Sequence, residues 1–264
     1  MQKNGKIAVA GGTGRVGRHV VDILESRGYE VVPMARSTGV DVISGDGLDE
    51  ALAGVDTIID ASTGPSPDQQ AATEFFTTST RNLHEAGERG GVTRMVVVSI
   101  IGVDRFSSGY NAAKLTQEEL ALAGPIPTRI VRAAQFHEFV EELMRWGTEG
   151  DVSHVPDMRT QLVAARTVAE ALVDLATASD SEFGSSSIPE VAGPRAESLL
   201  EVARLLAARR GDGLRVEGSS DLYGVESELA ETGALLPGPD ATLAGPTYEE
   251  WLEATLATRS GSRS

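Results

Sequence analysis

The sequence predicts an α/β fold in which a doubly wound parallel sheet is joined to a small C-terminal lobe. Short apolar segments alternate with helical patterns through the first two thirds of the 264 residues, and this alternation is typical of consecutive strand–helix units. The apolar segments are rich in β-branched residues, as expected for parallel strands covered on both faces. A glycine-rich turn between the first strand and the first helix is the third observation that favours this fold.

Six strands are predicted in this region, at residues 6–10, 30–35, 40–43, 55–61, 94–99 and 127–131. The helices between them are predicted at residues 15–27, 47–53, 67–89 and 110–123. The third of these helices carries a strong start signal. Ser66 is a good N-cap, Pro67 suits the first helical position, and Gln69 follows the cap by three residues.

After Arg132 the pattern changes. Helices are predicted at residues 136–146, 161–178, 197–210 and 247–258, and a late strand at 187–191. Thr247 and Glu250 form a capping-box pattern at the last helix. Residues 211–245 are rich in Gly, Pro, Asp and Ser and predict loops and short elements of a smaller C-terminal lobe. We therefore expect a core domain over residues 1–133, completed by about 161–192, and a smaller substrate-side lobe over 134–160 and 193–264.

The composition argues against several classes of function. The formal net charge of −16 repels phosphate backbones, so nucleic-acid binding is not expected. The chain has no cysteine, and its four histidines lack the spacing of metal ligands, so no metal site is expected. No segment approaches the ~20 apolar residues of a membrane helix, and the N-terminus lacks a signal-peptide pattern. We expect a cytoplasmic protein, monomeric or homodimeric, whose partner is a small-molecule substrate.

The glycine turn is the strongest functional signal. It contains glycines with the spacing G-x-G-x-x-G between an apolar strand and a helix, the context of a dinucleotide-binding Rossmann fold. Glycine allows a sharp turn, a close approach to a pyrophosphate and tight packing of the helix against the strand. The helix N-terminus adds N–H groups for the phosphates. The predicted cofactor contacts are Gly11, Gly12, Thr13, Gly14, Arg15, Val16 and Gly17. The alternative is a plain turn without a ligand.

The end of the second strand predicts which dinucleotide binds. An NAD-specific site would place an acidic residue there, against the ribose 2′-hydroxyl. This chain has Arg36, whose guanidinium suits a 2′-phosphate in charge and geometry, followed by the hydroxyl of Ser37. The sequence therefore favours NADP(H), with NAD(H) as the alternative. Asp46, after the predicted third strand, is a candidate for the adenine amino group, although Asp-Gly is also ordinary turn chemistry.

A second constellation consists of Ser99, at a strand end, and Tyr110 and Lys114 in the next helix. Residues four apart share a helix face. A lysine ammonium beside a phenol lowers the phenol's pKa, and the tyrosine then acts as a proton donor or acceptor. Ser99 is expected to bind a substrate carbonyl, and Lys114 to hold the nicotinamide ribose as well. The alternative is a surface helix with a solvated lysine.

Together with residues 132–139, these features resemble the short-chain dehydrogenase/reductase superfamily, and more closely its atypical, NmrA-like NAD(P)H-binding branch. The likeness covers about residues 5–180. It implies that NADP(H) binds to the glycine turn and to Arg36. The further cofactor contacts that it implies are Ala61, Ser62, Thr63, Ser99, Lys114 and Gln135.

The chain departs from the superfamily pattern at residues 61–64, which replace an asparagine-rich motif. In this branch the catalytic tyrosine is often missing, and some members bind the dinucleotide without turnover, whereas this chain has both Tyr110 and Lys114. Phe136 and His137 follow the sixth strand and are the substrate-side candidates. His137 is also a candidate second acid–base group, although a lone histidine near a helix start is more often structural.

We therefore expect an NADP(H)-dependent reductase of a small carbonyl or quinone-like compound, with Tyr110, Lys114 and Ser99 as catalytic residues. One alternative is a non-catalytic NAD(P) sensor that binds a partner protein. A less favoured alternative is a sugar-nucleotide epimerase or dehydratase, because the C-terminal lobe is short for a nucleotide-sugar site.

Overall fold

The computed structural model of the protein describes residues 4–185, 187–211, 213–219, 229 and 231–261. The strands are β1 (Asn4–Ala10), β2 (Tyr29–Met34), β3 (Thr57–Asp60), β4 (Arg94–Ile100), β5 (Thr128–Ala133), β6 (Thr148–Glu149), β7 (Val152–Pro156), β8 (Arg159–Thr160), β9 (Glu190–Ala192), β10 (Glu197–Ser198), β11 (Arg215–Ser219) and β12 (Thr242–Leu243). The helices are α1 (Gly17–Ser26), α2 (Leu48–Leu52), α3 (Gln69–Gly90), α4 (Gly109–Ala123), α5 (Val140–Trp146), α6 (Ala165–Ala176), α7 (Asp180–Phe183), α8 (Leu199–Arg210) and α9 (Tyr248–Gly261). Within these residues, no helix is long and apolar enough to cross a lipid bilayer.

The chain divides into two compact units. The first contains Met1–Arg132 and Val168–Pro189, and the second contains Ala133–Thr167 and Glu190–Ser264.

The first unit holds a parallel sheet with its strands in the order β5-β4-β3-β1-β2. Ala10 is in register with Met34 on one side and with Asp60 on the other. Asp60 is in turn in register with Val97 of β4. The carboxyl ends of these neighbouring strands therefore lie side by side. We call this end of the sheet, where the strands finish, its carboxyl edge. The predicted α/β fold with a parallel sheet is confirmed.

An apolar core lies between this sheet and the helices α2, α3 and α4. The strands supply buried aliphatic side chains such as Ile58, and the helices supply residues spaced along one face. Other members of this core are Ala8, Met34, Leu48, Leu52, Leu83, Met95, Ala121 and Ile130. The core fixes the positions of α3 and α4, and these two helices carry several of the predicted site residues.

The predicted strand at residues 40–43 is wrong. The chain closes into a turn there, because the backbone N–H of Gly45 donates to the carbonyl of Asp41 at 2.9 Å. The N–H of Ile43 donates to the carboxylate of the same aspartate at 2.8 Å. Val40 is nonetheless buried in the core. The apolar signal that predicted a strand therefore reflects a loop that packs against the core.

Helix α3 begins two residues later than predicted, because its N-cap is Asp68 and not Ser66. The carboxylate of Asp68 accepts the N–H of Ala71 at 3.0 Å. Ser66 instead accepts the N–H of Asp68 at 3.1 Å. Two neighbouring polar residues thus competed for the cap, and the carboxylate, which also suits the positive end of the helix dipole, occupies it.

In the described residues, the second unit contains short strands and the helices α5, α8 and α9. β7 pairs in parallel with β11 and antiparallel with β6, while β8 pairs with β10 and β9 with β12. Arg209 of α8 binds Glu249 and Glu253 of α9 at 2.9 and 3.0 Å. The predicted capping box is present, since Thr247 Oγ1 accepts the N–H of Glu250 at 3.3 Å.

Part of the predicted loop segment 211–245 lies outside the described residues, namely 212, 220–228 and 230. The described part of this segment includes β11 and β12.

The turn between β1 and α1 leaves no room for a side chain at Gly17. A Cβ there would lie 2.1 Å from the carbonyl oxygen of Gly11 and 2.9 Å from the Cα of Gly12. Both are backbone atoms of a segment that is itself anchored, because the N–H groups of Gly11 and Gly12 donate to the carbonyl of Met34 at 3.0 and 3.3 Å. Helix α1 therefore starts directly behind β1 only because residue 17 is glycine.

We predict that Gly17→Ala destabilises the fold by about 1–3 kcal/mol, because the added methyl group must displace backbone. Gly184→Ala is the matched control, since its Cβ would lie 3.3 Å from the carbonyl oxygen of Asp180 and 3.8 Å from that of Ser181. Its effect should stay within about 0.5 kcal/mol. Urea titrations of both variants give the free energies of unfolding. Wild-type stability in Gly17→Ala would contradict this account of the turn.

Candidate functional site

Gly14 is the position of the turn that faces open space. Its N–H donates to the carbonyl of Gly11 at 2.8 Å, and within 4 Å an added Cβ would meet only that oxygen, at 3.0 Å. Gly11, by contrast, adopts a φ of +70°, and a Cβ there would lie 2.7 Å from the carbonyl oxygen of Ala61. The turn is thus supported by the end of β3 and open at Gly14, which is the geometry of a cradle for a pyrophosphate.

Helix α1 directs an uncapped N-terminus toward this cradle. Val16 at the N-cap position makes no side-chain capping bond, and the first helical turn, all of it described, holds no acidic residue. The N–H groups of Arg18 and His19 donate to the carbonyls of Gly14 and Val16 at 3.2 and 3.0 Å, so the helix offers the turn chiefly the positive end of its dipole. Thr13 is exposed and Arg15 is half-buried beside it. An anion is the group that such a helix end binds.

Arg36 and Ser37 are exposed on a 3-10 helix that follows β2. Thr38 fixes this segment, because its Oγ1 accepts the N–H of Ala35 at 3.0 Å and donates to the carbonyl of Pro33 at 2.9 Å. The segment starts two residues after Met34, whose carbonyl binds the glycine turn. The backbone that carries the predicted 2′-phosphate ligand is therefore joined directly to the predicted pyrophosphate site.

Asp46 is exposed in the turn that replaces the predicted third strand. Its carboxylate accepts the Ser44 hydroxyl at 2.8 Å. The structure therefore places Asp46 in the local turn chemistry that its sequence context also favours.

A buried polar network that the sequence analysis missed lies at the end of β3. Asp60 is 2% exposed. Its Oδ1 accepts the N–H and the hydroxyl of Ser62 at 2.9 and 2.6 Å, and its Oδ2 accepts the side-chain amide of Gln117 at 3.0 Å. Burial raises the pKa of Asp60, while the Ser62 hydrogen bonds and the charge of Lys114 oppose that rise. The signal in the sequence was an aspartate that ends an apolar strand.

Lys114 belongs to the same network. Its Nζ donates to the carbonyl of Val98 at 2.7 Å and to Oε1 of Gln117 at 2.6 Å, and it lies 4.7 Å from the centre of the Phe76 ring. The side chain is buried, and burial lowers the pKa of Lys114 to about 8, although Asp60 opposes the shift. The lysine is therefore held in the interior next to the end of β4.

Tyr110 does not share this arrangement. Its hydroxyl lies 3.1 Å from Oγ1 of Thr63, and its ring packs edge-on against Phe76 with centroids 5.7 Å apart. Burial raises the pKa of Tyr110, and the hydrogen bond to Thr63 opposes the rise. The expectation that Lys114 lowers this pKa is therefore wrong. Both residues lie on α4, but the Lys114 ammonium is hydrogen-bonded to Val98 and Gln117, whereas the phenol is hydrogen-bonded to Thr63.

Ser99 lies near the carboxyl end of β4 and is 3% exposed. Its hydroxyl has no hydrogen-bond partner within the described part of the chain. A buried hydroxyl without a partner costs free energy, so it marks a place where a bound oxygen or nitrogen atom would complete the hydrogen bonding.

The remaining predicted residues lie in the second unit. Gln135 accepts the hydroxyl of Thr160 at 2.5 Å, and Phe136 forms an isolated parallel bridge with Val163. His137 is 1% exposed and packs against the rings of Tyr248 and Trp251, with centroids 5.4 Å away in each case. Its Nε2 lies 3.1 Å from the carbonyl of Pro246. This environment favours a packing role for His137 over an acid–base role.

The fold and the glycine turn define a dinucleotide-binding α/β protein, and the family profile of NAD(P)H-binding proteins matches residues 11–179. The chain belongs to this family, which confirms the predicted resemblance and the cofactor class. A relative, the 3-beta-hydroxysteroid dehydrogenase of Mycolicibacterium neoaurum, is 31% identical over 156 residues. That segment covers 45% of this chain and 43% of the relative, so the chain spans less than half of the relative's length.

Solved structures share the fold over most of the chain. The NADPH-dependent quinone oxidoreductase QOR2 of Escherichia coli, complexed with NADPH, is 17% identical and has a TM-score of 0.62. The match covers 95% of this chain and 99% of that one. MoeE5, in complex with UDP-glucuronic acid and NAD, is 21% identical with a TM-score of 0.65, over 89% of this chain and 95% of that one.

The buried His137 predicts a pH dependence of stability. Burial lowers its pKa from 6.5 to about 4 in the folded state. Below pH 6.5 the unfolded chain therefore takes up a proton that the folded chain does not, and stability is lost as the pH falls from about 6.5 to 4. The loss is about 3 kcal/mol for this residue. Urea titrations across this range should show a shallower decline for His137→Phe than for the wild type.

His154→Phe is the control, since His154 on β7 is only half-buried. It should keep the wild-type decline. Parallel pH profiles for the wild type and His137→Phe would contradict the prediction.

Proposed function

We propose that the protein is an NADPH-dependent reductase of a small carbonyl or quinone-like compound. The observation that carries the proposal is the buried Ser99 hydroxyl near the carboxyl end of β4, which has no hydrogen-bond partner among the described residues. The same edge of the same unit holds Tyr110, Lys114 and the glycine turn. A substrate oxygen bound at Ser99 would supply the missing hydrogen bond and lie among groups that hold protons.

The residues present fit a dinucleotide. The turn is open at Gly14, the N-terminus of α1 is uncapped, and Arg36 is exposed next to them. The turn would hold the pyrophosphate and Arg36 the 2′-phosphate, and the hydroxyls of Ser62 and Thr63 are candidates for contacts closer to the reacting end. When bound, NADPH supplies the hydride; the protein binds, orients and protonates.

Tyr110 is the proposed proton donor. Burial keeps its phenol protonated at neutral pH, which is the form an acid needs when a carbonyl oxygen gains electrons. Thr63 orients the hydroxyl through its 3.1 Å contact. The reaction adds a hydride to carbon and a proton to oxygen, and the tyrosinate that remains regains its proton from solvent.

Two alternative functions are each supported by one observation. A non-catalytic sensor of NAD(P) is favoured by the missing interaction between Lys114 and Tyr110, because such a protein needs no tuned phenol. A sugar-nucleotide enzyme is no longer disfavoured by the length of the C-terminal lobe. The chain matches 95% of the MoeE5 chain, which was solved with UDP-glucuronic acid.

The first prediction of this proposal concerns the cofactor. Wild-type protein should bind NADPH more tightly than NADH. Arg36→Ala should weaken NADPH binding by roughly 1.5–3 kcal/mol, about ten- to more than a hundredfold, while NADH binding stays unchanged. Arg81→Ala, an exposed arginine on α3, is the control for net charge. Fluorescence titrations provide the dissociation constants. Equal loss for both cofactors, or an NADH preference in the wild type, would remove Arg36 from the site.

The second prediction concerns turnover. Tyr110→Phe should lower the rate of NADPH oxidation with quinone and ketone substrates by about 10²–10⁴-fold, with nearly unchanged NADPH affinity, because it removes only the proton donor. Tyr29→Phe is the control because it also removes a phenol hydroxyl. Tyr29 lies at the amino end of β2, away from the carboxyl ends of the strands, so this variant should leave the rate unchanged. Wild-type protein that binds NADPH but turns over none of these substrates would favour the sensor.

A further inference from the structure

The network at the end of β3 contains two opposite charges in the interior. Asp60 is 2%, Gln117 1% and Lys114 5% exposed. Burial of a carboxylate and an ammonium is costly, and apolar residues of similar volume would often fill such a space at lower cost. A network of this kind therefore indicates a requirement other than stability.

The amide of Gln117 connects the two charges in a fixed orientation. An ammonium only donates and a carboxylate only accepts hydrogen bonds. Gln117 must therefore direct Oε1 to Lys114 (2.6 Å) and Nε2 to Asp60 (3.0 Å), as observed. The amide dipole of Gln117 is aligned by Asp60 so that its negative end faces the ammonium of Lys114. Ser62 holds the carboxylate in place by donating two hydrogen bonds to the other oxygen, Oδ1.

We propose that Asp60 and Gln117 are positioning residues that hold Lys114 charged and fixed near the carboxyl end of β4, where it serves the reduction of the substrate. This inference rests on the proposed reductase function for its purpose, but not for its test. Two of the three ammonium hydrogens are directed to Val98 and Gln117, so the position of Nζ is set before any cofactor binds.

Other charged and titratable groups near Lys114 are already paired or buried. Glu118, on the same helix, also favours the charged lysine, but it is bound by Arg132 of β5 at 2.8 Å. Arg132 also binds Asp104 at 3.0 Å. His84 of α3 faces Asp60 and is kept neutral by burial, which lowers its pKa, and Tyr110 is neutral as described above. Among the residues that the structure describes, Asp60 is therefore the acidic group near Lys114 that has no salt-bridge partner of its own.

The test is an NMR titration of the Lys114 side chain in the cofactor-free protein, followed through its ¹³Cε and ¹⁵Nζ shifts. The wild-type midpoint is expected at about pH 8. Asp60→Asn keeps the shape and the acceptor for Ser62 but removes the charge, so the midpoint should fall by about one unit or more. Asp56→Asn, at the opposite end of β3, is the matched control and should leave it unchanged.

The double variant Asp60→Asn with Gln117→Glu provides the rescue. The new amide at position 60 donates to the new carboxylate at position 117, which accepts the ammonium directly, so the midpoint should return to the wild-type value or exceed it. An unshifted midpoint in Asp60→Asn would overturn the proposal, as would a double variant that titrates as low as the single one. A purely structural role would alter stability in Asp60→Asn without moving the midpoint.

A second readout separates this inference from the proposed function. The alkaline limb of the pH profile of kcat/KM should move in the same order as the NMR midpoints. If the wild type shows no reductase activity, the proposed function fails while the titration still decides the role of Asp60. If the enzyme is active and its alkaline limb does not follow the midpoints, the network does not serve the reduction.

Discussion

The contact between Gly17 and the backbone of Gly11 is the constraint on which the arrangement of the site depends. With no Cβ at position 17, α1 begins immediately behind β1, and its N-terminus lies at the carboxyl edge of the sheet. The parallel register then brings the ends of β2 and β3 to the same edge, next to Ala10. The parallel register and the close approach at Gly17 together place the glycine turn, the exposed Arg36 and the buried Asp60 at the carboxyl edge of the sheet.

The parts of the fold that could be predicted from the sequence are those in which local pattern and burial agree. The apolar run before Gly11 predicts β1 because its last four residues, Ile7 to Ala10, are all buried in the core. Residues 40–43 have the same apolar character, yet Asp41 binds neighbouring N–H groups with its carboxylate and carbonyl and closes a turn. Pattern alone does not distinguish a strand from a loop packed on the core. In the same way, the sequence pattern alone does not decide which of Ser66 and Asp68 is the N-cap of α3.

The site was predictable to the level of residue types but not of their pairing. Helical spacing correctly places Tyr110 and Lys114 on one helix, and the structure brings Thr63 to the phenol. The direction of a lysine side chain, however, depends on which acceptors surround it, and these come from β3, β4 and its own helix. Gln117 and Asp60 lie 57 residues apart in sequence. Their hydrogen bond is a consequence of the tertiary fold, which no local pattern encodes.

The protonation states at this edge favour one direction of chemistry. A phenol whose pKa is raised by burial stays protonated at neutral pH, so the form that can donate a proton is populated and the form that can accept one is scarce. Such a group assists the addition of a hydride to a carbonyl more than the reverse oxidation, which requires a base at the same position. The lysine does not reverse this preference, because its ammonium is hydrogen-bonded to Val98 and Gln117 and not to the phenol. The raised pKa of Tyr110, which comes from burial and not from Lys114, is therefore the property of this residue that fits the proposed reduction.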